Sequence, residues 1–223
     1  MRTKLKDRNL PAYTKGEEIF NMVSHIAGGA LGVAATVLCV VMAAIHRNVW
    51  GVVSGAVFGG TMVLLYTMSS IYHGLPPERT SKKVFQIIDH CSIFLLIAGT
   101  YTPLTLCTLR EIIPGFAWTI FGLIWGMAVV GITLNAVDLK QFKLFSIICY
   151  LVMGWCIVIA AKPVIAGLGS TGMWLLFAGG IAYTVGAVLY CLGKRHAYIH
   201  SVFHLFVVAG SLLHFLCILL YVM

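Results

Sequence analysis

The sequence predicts an all-α, polytopic membrane protein: a seven-transmembrane helix bundle with the N-terminus cytoplasmic and the C-terminus outside. Three observations predict this fold class. Of the 223 residues, 60% are hydrophobic and only 10% are charged, whereas soluble domains average about 25% charged residues. The apolar residues form seven long runs, and Lys and Arg concentrate in alternate connections between those runs. A soluble domain of this size cannot bury so much apolar side chain, so the composition excludes soluble and disordered classes.

Each of the seven runs is long enough to be a transmembrane helix, because the hydrocarbon core requires about 20 apolar residues. Charged residues, Gly or Pro separate the runs, and Lys162-Pro163 separates the fifth from the sixth. Short connections predict that neighbouring helices are antiparallel. The runs cover about residues 20–45, 51–73, 86–107, 114–136, 143–162, 171–192 and 199–222.

The polar, basic start of the chain predicts two regions. Residues 1–19 form a cytoplasmic N-terminal segment, and residues 20–223 form the seven-helix transmembrane domain. The first apolar run is longer than a signal-peptide core and lacks a small-residue cleavage site. We therefore expect it to be retained as the first span.

The distribution of basic residues predicts the orientation, because Lys and Arg collect in cytoplasmic loops. With the N-terminus inside, twelve of the 15 basic residues are cytoplasmic and three are outside. The net charge of +8 is therefore explained by membrane topology. No long polar stretch interleaves basic and aromatic residues, so nucleic acid is not an expected partner. The cytoplasmic set is Arg2, Lys4, Lys6, Arg8, Lys15, Arg79, Lys82, Lys83, Lys140, Lys143, Lys194 and Arg195, and the outside set is Arg47, Arg110 and Lys162.

The same topology places three histidines and one carboxylate at one depth. His73 ends the second run, Asp89 begins the third, and His200 and His204 begin the seventh, all near the cytoplasmic face. His200 and His204 are four residues apart, so they lie on one face of a helix. Two imidazoles at that spacing can bind one metal ion. The pattern therefore predicts an intramembrane metal site.

Three histidine ligands on Zn²⁺ leave a fourth position for water, which is typical of catalytic zinc. Asp89 is then placed to orient that water or to take its proton. Ser69 precedes His73 by four residues, so its hydroxyl is expected to point at whatever His73 binds. The alternative is structural, because an i, i+4 histidine pair arises by chance and histidines also hydrogen-bond between helices.

Glu18, Asn21 and His25 share one face at the start of the first run. They are either a polar helix start that satisfies loop backbone or a second shell or gate beside the metal. His214 lies ten residues after His204, about 15 Å deeper by helical rise. We expect it to be a hydrogen-bonded residue of the bundle interior.

Three motifs carry a resemblance to a known family: Glu18-x2-Asn21-x3-His25, Ser69-x3-His73 followed by Asp89, and His200-x3-His204. Through them, the chain resembles the hemolysin III family, the bacterial branch of the progestin and adipoQ receptor family. The resemblance covers nearly the whole chain, and the run from Gly99 to Pro103 is similar to the family as well.

This resemblance implies a seven-helix bundle in the bacterial inner or plasma membrane, with zinc near the cytoplasmic side. It implies that His73, His200 and His204 are the zinc ligands, that Asp89 holds the zinc-bound water and that Ser69 lies close by. His25 belongs to the first motif, which is not a metal ligand in the relatives. The long N-terminal cytosolic domain of the animal receptors is missing here, so a receptor for an animal hormone is not expected.

The sequence leaves several functions open. One is a zinc-dependent hydrolase of lipid amides or esters, with a membrane lipid as substrate. Another is a non-enzymatic membrane-homeostasis or fluidity-sensing protein with structural zinc. A cytolysin (hemolysin) is the third, and the sequence speaks against it because no amphipathic segment is suited to late insertion. An ion transporter would need paired intramembrane charges, and only Asp89 is clearly at that depth.

Overall fold

A computed structural model describes residue 3, residues 5–193 and residues 197–223 of the chain. Within those residues, six helices are long and apolar enough to cross a membrane, which confirms an all-helical, polytopic membrane protein. Of the predicted cytoplasmic basic residues, Arg2, Lys4, Lys194 and Arg195 lie outside the described residues. The six helices are α1 (Lys15–Ile45), α2 (Val49–Gly74), α3 (Thr80–Ile112), α4 (Pro114–Asp138), α5 (Lys143–Leu192) and α6 (Ile199–Tyr221).

The described helices number six rather than the predicted seven because the fifth and sixth predicted runs join in α5. This helix spans 50 residues, and a straight helix of that length would extend about 75 Å. A single crossing of the hydrocarbon core needs only about 30 Å. The count of seven spans is therefore not confirmed by helix boundaries.

Helix α5 folds back on itself at Gly169. Its φ is +67°, and its backbone is not helical. Trp155 Nε1 donates a hydrogen bond to Thr184 Oγ1 at 3.0 Å, although a straight helix would separate these residues by about 43 Å. Glycine permits the positive φ at this reversal because it has no Cβ. The reversal lies between the predicted runs 143–162 and 171–192, although the helix continues past Lys162-Pro163 to residue 168.

The start of α1 is fixed by its sequence. The Thr14 hydroxyl accepts a hydrogen bond from the Glu17 backbone N–H at 3.2 Å, and Glu17 Oε2 accepts one from the Thr14 backbone N–H at 2.8 Å. This reciprocal cap satisfies two donors that a helix start would leave unpaired. It therefore sets where the N-terminal segment enters the bundle.

Helices α1 and α2 approach each other closely through small residues. A Cβ added to Gly59 would lie 2.5 Å from Thr36 Cα, and one added to Gly32 would lie 2.9 Å from the Val63 backbone nitrogen. Small residues let transmembrane helices approach at backbone distance. The two helices that carry Glu18 and His73 are therefore held in tight register.

The buried apolar side chains form two clusters. One contains residues of α3, α4 and α5, including Phe94, Ile124 and Met153. The other joins α1, α2 and α6 and includes Phe58, Met62 and Ile218. A cavity lies between the helices that carry these clusters, and its lining includes residues of α3, α5 and α6.

Candidate metal centre

The three predicted histidine ligands meet in the structure. His73 lies in the last turn of α2, and His200 and His204 lie at the start of α6. One ring nitrogen of each lies within 4.8 Å of those of the other two, and all three residues are buried. His200 Nε2 and His204 Nε2 are 3.1 Å apart. Two nitrogens that share one tetrahedral ion at bonds of about 2.0–2.1 Å are separated by about 3.4 Å, so the pair is close to ligand geometry.

The hydrogen bonding of these rings also fits a metal ion. His73 Nε2 is buried and has no hydrogen-bond partner among the described residues. A buried nitrogen without a partner destabilises the fold unless something else satisfies it. Neutral imidazole nitrogens are good ligands for divalent transition metals. The donor set of the cluster therefore fits a bound metal ion.

Glu18 orients His73. The His73 Nδ1–H donates a hydrogen bond to Glu18 Oε2 at 2.6 Å, because an ionised carboxylate can only accept. This bond leaves the lone pair of the ring on Nε2. The other oxygen of Glu18 accepts a hydrogen bond from Lys82 Nζ at 2.7 Å, and Lys82 is only 1% exposed. Glu18 thus sits between the His73 ring and a buried ammonium, an arrangement that carboxylates adopt beside the ligands of many metal sites.

Asn21 and His25 also lie against the cluster. Asn21 Nδ2 is 3.5 Å from His73 Nδ1. The ring of His25 stacks on that of His204, with centroids 3.7 Å apart and an interplanar angle of 22°. The structure therefore places Glu18, Asn21 and His25 beside the histidine cluster. None of them belongs to the group of three histidines.

Tyr13 covers the cluster from the N-terminal segment. Its ring stacks on His200 at 4.8 Å with an interplanar angle of 19°, and it lies 5.8 Å from the ring of His73. Burial, with the nearby negative charge of Glu18, raises the pKa of Tyr13 above its usual range. The phenol therefore keeps its proton at physiological pH.

Asp89 and Ser69 line the same cavity as His25, His200 and His204. Ser69 is 1% exposed. Asp89 Oδ2 lies 3.6 Å from Nδ1 of His90, whose Nε2 is 3.1 Å from the Tyr190 hydroxyl. The carboxylate and the hydroxyl are thus on the wall of the cavity that the cluster faces.

The cavity has a polar end and a long apolar body. Its volume is about 180 Å³, and its lining reaches from Asp89 and His200 to His214. Gly154 and Val158 also line the cavity and are exposed. The lining of the cavity suits an apolar molecule with one polar end.

Sequence reasoning missed Tyr13 and the role of Lys82. Both residues lie at the edges of apolar runs, where aromatic and basic side chains are common at membrane interfaces. A signal for Tyr13 was its position directly before the Thr14–Glu17 cap, which fixes the direction in which the chain enters α1. Nothing in the sequence around Lys82 distinguished it from the neighbouring Lys83.

Known proteins match this chain over most of its length. Residues 13–215 match the family model described as haemolysin-III related. The chain is 40% identical over 207 residues to Hemolysin-3 of Bacillus cereus, covering 93% of this chain and 92% of that protein. It is 41% identical over 209 residues to the Hemolysin-3 homolog of Bacillus subtilis (strain 168), covering 94% and 96%.

A more distant similarity extends beyond bacteria. The chain is 25% identical over 185 residues to the human monocyte to macrophage differentiation factor, covering 79% of this chain and 74% of that protein. The matches to the family model and to the two Bacillus proteins each cover most of the chain. The protein therefore belongs to the haemolysin III family.

Proposed function

We propose that this protein is a zinc-dependent hydrolase of lipid amides or esters in the bacterial inner or plasma membrane. One observation carries the proposal: in a buried three-histidine cluster, His200 and His204 line a largely apolar cavity together with Asp89 and Ser69. A membrane lipid that enters from the side would place its polar head at the cluster and its chain in the apolar body. Its substrate is therefore a lipid.

The proposed topology has seven spans, with the N-terminus cytoplasmic and the C-terminus outside. The reversal at Gly169 supports two crossings by α5, one by residues 143–168 and one by residues 170–192. An odd number of crossings puts the two termini on opposite sides. The excess of Lys and Arg in alternate connections supports the cytoplasmic placement of the N-terminal segment, residues 1–19, ahead of the membrane domain, residues 20–223.

The proposed ion is Zn²⁺, with His73, His200 and His204 as its ligands. Three imidazoles with a position left open are a common ligand set of catalytic zinc. The bond from His73 to Glu18 supports this assignment, because metal-binding histidines usually donate their other ring N–H to a carboxylate or carbonyl. Bound zinc supplies Lewis acidity and makes a water molecule more acidic.

Asp89 and Ser69 are the proposed catalytic residues. The Asp89 carboxylate accepts a proton from the attacking water and delivers it to the leaving amine or alcohol, as a general base and then a general acid. The Ser69 hydroxyl donates a hydrogen bond to the carbonyl oxygen of the lipid, where negative charge develops. The apolar lining excludes bulk water from both steps.

A non-enzymatic role with structural zinc is the second candidate, and one observation favours it. The histidines join α2 to α6, and Glu18 links α1 to both His73 and Lys82. An ion at this junction would hold four helices together at one end of the bundle. Lysis, which the names of the Bacillus relatives suggest for those proteins, has no comparable support from the geometry.

The deciding experiment combines metal content and turnover. Elemental analysis of purified wild type is expected to give about one zinc per chain, with little in His200→Ala and full content in His46→Ala, whose Nδ1 is 2.8 Å from a backbone oxygen of Met223. Lipid amides and esters are then screened for hydrolysis in bilayer nanodiscs. Asp89→Asn is expected to lower turnover by about 10²–10⁴-fold, while Glu111→Gln, an exposed carboxylate next to Arg110, leaves turnover unchanged.

The outcomes separate the candidates. Wild-type turnover by Asp89→Asn would overturn the mechanism, and folded wild type without zinc would overturn the metal site. Bound zinc with no turnover, together with a Tm that falls sharply on chelation, would favour the structural role.

A further inference from the structure

The lining of the cavity includes a second polar group, His214, far from the histidine cluster along α6. His214 is 8% exposed and lines the cavity together with His204. The two residues are ten positions apart on α6, which places them about 15 Å apart along the helix axis. The lining between them on this helix includes Val207. A ligand that extends from the cluster along the cavity therefore passes His214.

The tautomer of His214 follows from its one hydrogen bond. His214 Nε2 is 3.0 Å from the backbone carbonyl oxygen of Leu176. A carbonyl oxygen only accepts, so Nε2 carries the proton. In the neutral ring, Nδ1 is then a hydrogen-bond acceptor. This Nδ1 is buried and has no partner among the described residues.

The ring packs so that Nδ1 faces away from the second arm of α5. A Cβ added to Gly179 would lie 2.2 Å from His214 Cδ2 and 2.4 Å from Nε2. The Cδ2–Nε2 edge of the ring is therefore in contact with residues 170–192. Nδ1 is on the opposite edge, which leaves its lone pair free of that helix.

The polar groups near His214 are already paired with each other. The Tyr66 hydroxyl donates to Ser211 Oγ at 2.7 Å, and the Tyr183 hydroxyl is 2.7 Å from the same oxygen. Tyr183 and His214 rings also make an edge contact at 5.3 Å. Buried polar groups are rarely left unsatisfied in folded proteins, so the unpaired Nδ1 differs from its neighbours and calls for a partner from outside the chain.

We propose that His214 is a specificity-determining subsite that accepts a hydrogen bond from a hydroxyl or amide N–H on the chain of the bound lipid. The preferred ligand is a lipid whose acyl chain carries such a donor about 15 Å from the polar head. The subsite rests on the proposed function in one respect, which is that the polar head lies at the histidine cluster. A purely aliphatic chain leaves Nδ1 unpaired and binds more weakly, because a site built to hydrogen-bond a group discriminates against analogues that lack it.

The test compares binding of stearic acid with binding of hydroxystearic acids that carry the hydroxyl at successive positions along the chain. Affinities are measured for the full-length, metal-loaded protein in nanodiscs by competition with a fluorescent fatty acid. We expect one window of hydroxyl positions to bind wild type about 5–10-fold more tightly than stearic acid. In His214→Phe the preference should disappear while stearic acid binds as before, and in His214→Gln, which retains an acceptor, it should persist.

Nitrogen NMR of wild type keeps the test independent of any variant. The Nδ1 resonance of His214 should shift when the preferred hydroxystearic acid binds, and should not shift with stearic acid. Equal affinity for all probes, or a preference that survives in His214→Phe, would overturn the subsite. Because only binding is measured, a failure here leaves the hydrolase proposal standing, and an absence of hydrolysis leaves the subsite testable.

Discussion

The two sides of the cavity differ in how closely their helices pack. On the α1–α2 side, a Cβ added to Gly59 would lie 2.5 Å from Thr36 Cα, and one added to Gly55 would lie 3.0 Å from Cys39 Cβ. On the α5 side, a Cβ added to Gly154 would have no described atom within 4 Å. Gly59 thus marks a close backbone contact, whereas Gly154 marks open space.

This difference in helix packing matches the residues that each side of the cavity carries. The closely packed side holds Glu18, His25 and His73, whose positions must be fixed to a fraction of an ångström for a metal site to work. Residues 143–168 contribute to the opposite wall of the cavity, where the lining residues Gly154 and Val158 are exposed. The side that holds the histidine cluster is closely packed at Gly59, whereas the opposite wall has open space at Gly154.

The first prediction tests whether the rigid side tunes the metal site. Glu18→Gln should weaken metal affinity about 10–100-fold, because the amide accepts less strongly from His73 Nδ1–H and lowers the basicity of the other ring nitrogen. Metal affinity is measured by competition with a chromogenic chelator. The matched control is Glu17→Gln, since Glu17 bonds Thr14 and the Tyr198 backbone N–H. Equal affinities in both variants would show that Glu18 does not contribute to metal binding.

The second prediction tests the packing difference itself. Gly59→Ala should lower the free energy of unfolding by about 1–3 kcal/mol, because the added methyl group pushes the α1 and α2 backbones apart. Denaturant unfolding in detergent micelles measures this change. Gly154→Ala is the control on the open side and should raise the free energy of unfolding by up to about 1 kcal/mol, since alanine is the better helix former. If both variants lose the same stability, the two sides do not differ as described.

The third prediction concerns Tyr13, whose ring covers the histidine cluster. Tyr13→Ala should speed metal release to a chelator about 2–10-fold, because a stacked aromatic contact contributes about 0.5–1.5 kcal/mol. Stopped-flow absorbance follows the release. Tyr13→Phe keeps the ring on His200 and should release metal at the wild-type rate. Release that is unchanged in Tyr13→Ala would mean that the ion exchanges through the cavity on the open side instead.

Much of the site could be predicted from the sequence, because the topology of a membrane protein follows simple rules of apolar run length and loop charge. The positive-inside rule and the i, i+4 spacing of His200 and His204 placed these residues with His73 at one depth, and the structure brings all three together. The partners of Glu18 were not predictable, since residues 18, 73 and 82 lie on three helices and their contact depends on how those helices rotate. Tyr13 was missed for the same reason.

By itself, the sequence determined the all-helical membrane fold, most of the helix positions and the residues of the histidine cluster. Those features depend on apolar run length, loop charge and helical periodicity, which are local or additive properties of the chain. Only the tertiary structure decided that the chain reverses at Gly169, that Glu18 joins His73 to Lys82, and that His214, which lines a cavity, has a nitrogen without a partner among the described residues. Each of these depends on the packing of helices distant in sequence, and no local pattern encodes that packing.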